Sequence, residues 1–198
     1  MLELYIDPFN VVKIIIIFLL AQLDYFLTIK SFRFYKSNNI QKYLRFDTFE
    51  QNPIFESTVE QGKYFNWRHF LLTVLLMVLF AFISLFVNQD VIDVLLGVAF
   101  FPLVQTNLNH MKNLLSFNLV KSNYEIFKER SFYSRFGTIL FTAQNFAELS
   151  AIFLIIYLIS YNYFILGGLV GFLALTMRFS LLGLKIKKKN STEEENNV

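Results

Sequence analysis

Long apolar stretches alternate with polar, basic segments along the whole chain. The alternation predicts an all-α fold, a polytopic bundle of about five transmembrane helices. A spanning helix needs roughly 17–25 mostly apolar residues. Five stretches meet that length, at about 9–29, 69–87, 91–115, 136–159 and 163–184. The first contains the run Ile14–Leu20, the second (HFLLTVLLMVLFAFISLFV) is the most uniformly apolar, and the third turns polar in its second half. The links at 88–90 and 160–162 have room only for a turn, so spans two and three form one hairpin and spans four and five another. Helices satisfy their own backbone in lipid, which isolated strands do not. Residues 1–184 are therefore expected to form one transmembrane domain.

The segment at about 31–68 is too long for a simple turn. Asn52 is placed to cap a helix, Pro53 suits its first turn and Gly62 suits its stop, so a short helix is expected over about 53–61. Ile54, Phe55 and Val59 would rest on the membrane surface. Asn66 is expected to cap the second span, with Trp67 at the interface. The tail at 185–198 (KIKKKNSTEEENNV) is charged, poor in apolar residues and expected to be disordered.

Charge gives the spans a direction. Of the 18 Lys and Arg residues, all but Lys13 and Arg178 fall in three places. Lys30, Arg33, Lys36, Lys42, Arg45, Lys63 and Arg68 lie between spans one and two. Lys112, Lys121, Lys128, Arg130 and Arg135 lie between spans three and four, and Lys185, Lys187, Lys188 and Lys189 lie in the tail. The other ends carry Glu3, Asp7, Asp90 and Asp93. The positive-inside rule then predicts an outside N-terminus and a cytoplasmic C-terminus in a multi-pass protein of the cell membrane. The acidic first nine residues are unlike a basic leader, so no cleaved signal is expected.

Composition narrows the chemistry. Hydrophobic residues make up 55% of 198, including 25 Phe, more apolar surface than a soluble domain of this size hides. With no Cys, disulfides, thiolate nucleophiles and Cys-bound metals are excluded. The net charge of +3 flanks the spans, which suits membrane lipid and anionic headgroups and not nucleic acid.

A charge at mid-membrane costs roughly 2.5–3.5 kcal/mol on insertion scales, so polar residues inside spans are the candidates for function. Asp24 and Thr28 are four apart and share a face of the first helix. The third span carries Pro102, Gln105, Thr106, Asn107, Asn109 and His110, the fourth Thr142, Gln144, Asn145 and Glu148, and the fifth Arg178. Asp24, Asn107 and Arg178 each lie about 15 residues from an outer end, about 22 Å down. The candidate substrate or ion site is Asp24, Thr28, Asn107, Asn109, His110, Asn145, Glu148 and Arg178, lining one chamber open to the cytoplasm. Arg178 would pair with Asp24 or Glu148, or belong to the site. The alternative is that these groups only link helices. His69 reads as interfacial. Gly167 and Gly171 have GxxxG spacing, which implies close packing within the bundle or in a homo-oligomer.

The segments Asp24-Tyr25-Phe26-Leu27-Thr28 and Glu50-Gln51-Asn52-Pro53 resemble a family of small uncharacterised prokaryotic membrane proteins with D-x-x-x-T in the first helix and E-x-N-P after it. Asp24, Thr28, Glu50, Asn52 and Pro53 match. The run Asn107-Leu108-Asn109-His110-Met111-Lys112-Asn113 is similar to a polar, His-containing helix end, with Lys112 where His or Arg is commoner. The resemblance covers about the first half of the chain and implies a membrane fold without an activity. Asp24, Glu50 and His110 would together offer oxygen and imidazole ligands to a divalent cation.

These features support a small channel or transporter with a polar site in the cytoplasmic half. The alternatives are a membrane-embedded enzyme acting on lipid, with or without a metal, and an accessory subunit. No HExxH or G-x-S-x-G motif favours the enzyme.

Overall fold

The computed structural model describes residues 7–38, 40, 44–46, 53–122, 131–133 and 135–195. These residues form α1 (Pro8–Ser37), β1 (Leu44–Phe46), α2 (Pro53–Glu60), α3 (Trp67–Ile83), α4 (Gln89–Ser122), β2 (Ser131–Tyr133), α5 (Arg135–Ser160) and α6 (Tyr163–Glu195). Four helices, α1, α4, α5 and α6, are long and apolar enough to cross a membrane, while α3 is an apolar helix of 17 residues. Their outer faces carry exposed Leu75, Phe141, Ile155 and Met177, a surface suited to lipid. This is the architecture of an integral membrane protein.

Local chemistry starts and stops the helices. Asp7 accepts the Phe9 amide at 3.0 Å and Pro8 opens α1. Asn66 accepts the Arg68 and His69 amides at the start of α3, as expected. Asn162 does the same for α6 through Phe164 and Ile165, just after Tyr161 turns the chain at φ 50°. Gly62, at φ 65°, ends the α2 turn. The expected Asn52 cap lies outside the described residues.

α4 lies between α1 and α6, α3 packs on α1, and α5 packs on α6. Contacts of Asn10 with Gln89 and Lys13 with Asp93 at one end, and of Tyr35 with Phe117 at the other, show that α1 and α4 run parallel. α4 and α6 cross at glycine. A Cβ on Gly97 would collide with the Phe164 carbonyl oxygen, and one on Gly167 with that of Val94. One on Gly171 would lie 2.8 Å from the Val98 oxygen. Pro102 has no N–H to bond that Val98 carbonyl, which is left to face α6. The Gly167 and Gly171 stripe is thus occupied within the bundle and is not an open face for a second copy.

An apolar cluster of Ile14, Ile17, Met77, Phe80, Ile92 and Leu96 joins α1, α3 and α4 in the half nearer Asp7. At the opposite end Tyr25, Ile29, Phe32 and Val59 seat α2 against α1, and Tyr35, Ile40, Phe117 and Val120 join α1 to α4. Asp24 and Thr28 of α1 and Asn107 and His110 of α4 fall between the first and the last of these clusters.

Three features differ from the expected elements. α4 continues past 115 to Ser122. α6 runs through the charged tail as helix to Glu195, where disorder was expected; Lys and Glu are good helix formers and extend a helix already nucleated. Strands β1 and β2 pair in parallel, Leu44 opposite Ser131 and Phe46 opposite Tyr133, in segments too short for period-2 alternation to reveal.

Candidate functional site

Asp24 and Thr28 sit one turn apart on α1, and α4 brings His110 against both. The Thr28 hydroxyl donates to the Asp24 backbone carbonyl at 2.9 Å. That donation uses its only proton, so at 3.0 Å from His110 Nε2 the same oxygen accepts and Nε2 carries the hydrogen. The Nε2 group also lies 3.3 Å from Asp24 Oδ1, within ion-pair distance but outside hydrogen-bond alignment. Nδ1 then holds a lone pair when the ring is neutral. Thr28 is buried, and the Asp24 and His110 side chains retain 29% and 22% of their exposure.

Asn107, one turn before His110 on α4, is buried and donates to the Leu20 carbonyl at 3.0 Å and the Leu103 carbonyl at 2.7 Å. Its amide ties α4 to α1. Among the described residues, Asp24 Oδ1, His110 Nδ1 and Asn107 Oδ1 are buried atoms without a hydrogen-bond partner, as are Gln22 Nε2 and Ser31 Oγ. Asp24 Oδ1 and Asn107 Oδ1 are acceptors, and buried acceptors without a partner are costly unless a donor or a cation meets them.

Two further aromatic groups border the site. His69, at the start of α3, stacks on Tyr25 with ring centroids 4.8 Å apart. The Tyr25 hydroxyl donates to the Lys63 carbonyl at 2.7 Å, which holds the α2–α3 link against α1. Sequence position alone made His69 interfacial; its place beside Asp24 follows from α3 running antiparallel to α1.

The other candidates lie elsewhere. Asn109 accepts from Gln105 Nε2 at 3.1 Å within α4. Asn145 and Glu148 are exposed, and Glu148 accepts from Gln144 at 3.0 Å in the same helix. The reason is the face α5 uses: Ile139, Ala143, Phe146 and Ser150 are buried, with Phe146 against Phe172 and Phe179 of α6, and Gln144 and Glu148 point the opposite way. Arg178 is exposed near the Phe179 ring, with no carboxylate within 4.0 Å among the described residues. The expected Arg178 partnership with Asp24 or Glu148 is corrected accordingly: His110 takes Asp24. The expected chamber shared by several helices reduces to the α1–α4 interface.

Glu50 lies outside the described residues. No group of three His, Cys, Asp or Glu side chains among the described residues is arranged to hold a metal. Asp24 and His110 alone supply too few ligands for the six to eight oxygens that calcium takes.

At the opposite end of the interface, Lys13 of α1 forms an ion pair with Asp93 of α4, flanked by reciprocal Asn10–Gln89 hydrogen bonds of 3.0 and 3.1 Å. Lys13, out of place by the charge rule, is thereby explained. No family model, curated protein or solved structure matches this chain.

Proposed function

We propose that the chain is a five-span protein of the cell membrane, with its N-terminus outside and its C-terminus cytoplasmic. In this reading it is a small transporter that passes protons, or a solute coupled to them, through the Asp24–Thr28–His110 site.

The single observation that carries the reading is the placement of His110 Nε2 between Thr28 Oγ1 and Asp24 Oδ1, at 3.0 and 3.3 Å. An imidazole with one nitrogen against a carboxylate and the other buried without a partner is arranged to take up and release a proton. At 1.5 Å per residue Asp24 lies about 24 Å along α1 from Pro8, in the cytoplasmic part of a membrane core about 30 Å thick.

Support for a fifth span comes from the course of α3. It starts beside Tyr25 and packs its Met77 and Phe80 with Ile14 and Ile17, so it travels the length of α1 between the site and the outer end. Its 17 residues rise about 25 Å, and the turn through Ser84–Phe86 completes the distance. Phe65, Trp67 and Phe70 gather at its other end, as aromatic residues do at an interface.

Purified protein in liposomes with an entrapped pH dye tests the reading. The wild-type chain is expected to dissipate an imposed pH gradient at least about tenfold faster than empty liposomes, the change produced by roughly 1.4 kcal/mol of barrier. A gradient that persists as in empty liposomes contradicts it.

A further inference from the structure

The cytoplasmic end of α1 and the α2–α3 link enclose an open depression of about 750 Å³, lined among others by Lys30, Arg33, Lys36, Glu60, Gly62 and Tyr64. It is separate from the Asp24 site. Its walls are held in place: Arg33 Nε donates to the Gly62 carbonyl at 2.8 Å, and the guanidinium lies 4.0 Å from the centre of the Tyr64 ring. Gly62 is required there, because its φ is 65° and a Cβ would sit 3.3 Å from Arg33 Nε. The neighbouring Val59 is buried, so the wall has an apolar footing.

Among the described residues, three cations around this depression face one carboxylate, Glu60. Lys30, Arg33 and Lys36 have no carboxylate within 4.0 Å among the described residues. Lys30 and Lys36 instead lie near the Phe26 and Phe32 rings, at 6.0 and 4.7 Å. Glu60 is the opposing charge on the rim. Arg33 spends its Nε donor on the protein, and its terminal nitrogens suit a partner with two oxygens.

Depth selects the source of those oxygens. Lys30 lies about 33 Å along α1 from Pro8, just past a hydrocarbon core about 30 Å thick. That is where lipid phosphates sit, and exposed Phe26 on the preceding turn is at acyl-chain depth.

We propose that this depression is a binding site for the headgroup of an anionic phospholipid, with Lys30, Arg33 and Lys36 meeting the phosphate. It rests on the topology proposed above and not on the proton site. Because Tyr25 and Arg33 hold the same link, at Lys63 and Gly62, a bound lipid braces the loop that borders Asp24.

The test uses full-length protein in detergent, with mixed micelles of phosphatidylglycerol or phosphatidylcholine, read by lipid retention in native mass spectrometry and by unfolding temperature. Wild-type protein is expected to retain phosphatidylglycerol preferentially and to gain stability from it. K30Q/K36Q is expected to lower that preference about thirtyfold, from the attraction of two basic groups, while unfolding as wild type does in phosphatidylcholine. E60Q is expected to raise it. K112Q/K185Q removes equal charge elsewhere and is expected to leave it unchanged. Three outcomes overturn the proposal: no preference, an equal loss in K112Q/K185Q, or full stabilisation by inorganic phosphate alone. None of these would change the sidedness of the chain, which is measured separately.

Discussion

Asp24 of α1 and His110 of α4 meet at 3.3 Å across a helix interface, between the apolar cluster around Ile17 and Leu96 and the one around Tyr35 and Phe117. Thr28 supports the meeting from one turn away, and Asn107 ties the same two helices through the Leu20 carbonyl. The pair is therefore held by neighbours that do not themselves titrate.

Thr28→Val removes the hydroxyl that accepts from His110 and keeps the shape. It is expected to destabilise the fold by about 1 kcal/mol, the net worth of one hydrogen bond. Equilibrium unfolding in mixed micelles measures it. A neutral result would mean that Thr28 does not position His110.

The glycine crossing leaves no room for a side chain, because a Cβ on Gly97 or Gly167 meets backbone and not a movable side chain. Gly97→Ala and Gly167→Ala are each expected to lower stability by about 1–3 kcal/mol, as overpacking does. Unfolding midpoints of the two variants against wild type decide the point.

Lys13 and Asp93 are both partly buried near the Asp7 end of α1. Lys13→Met and Asp93→Asn are expected to be destabilising singly and to show a coupling of about 1 kcal/mol in a double-mutant cycle. Additive effects would show that the pair contributes nothing beyond its separate parts.

Sidedness can be read directly, because the chain has no cysteine of its own. Single cysteines at Asn88 and Asn162 are expected to react with an impermeant maleimide on intact cells. Those at Asn38 and Lys63 are expected to react only after permeabilisation. The opposite pattern would invert the topology, and uniform labelling of Lys63 and Asn88 on intact cells would remove α3 from the spans.

Much of this arrangement was legible in the chain. The hairpins follow from the short links at 88–90 and 160–162, and the Asp24–Thr28 face follows from their spacing of four. His110 could be placed at nearly the right depth by counting residues, but its contact with Asp24 depends on which faces of α1 and α4 meet. Periodicity is silent there, because lipid is as apolar as the helix interface and inner and outer faces look alike. The same limit hides that Asn145, Glu148 and Arg178 lie apart from the site: counting residues gives their depth but not the rotation of α5 and α6 about their own axes. The Lys13 partnership is legible from the chain, since Asp93 enters from the same side at a similar depth.

Asp24→Asn and Glu148→Gln, compared side by side in the proteoliposome proton-flux assay, test the central claim most directly. Each removes one carboxylate from a spanning helix, but only Asp24 lies against His110, while Glu148 faces outward from α5. The expected result is a loss of at least about tenfold for Asp24→Asn, from roughly 1.4 kcal/mol or more of lost stabilisation, with Glu148→Gln close to wild type. Wild-type flux in Asp24→Asn, or an equal loss in both variants, would contradict a proton site between α1 and α4.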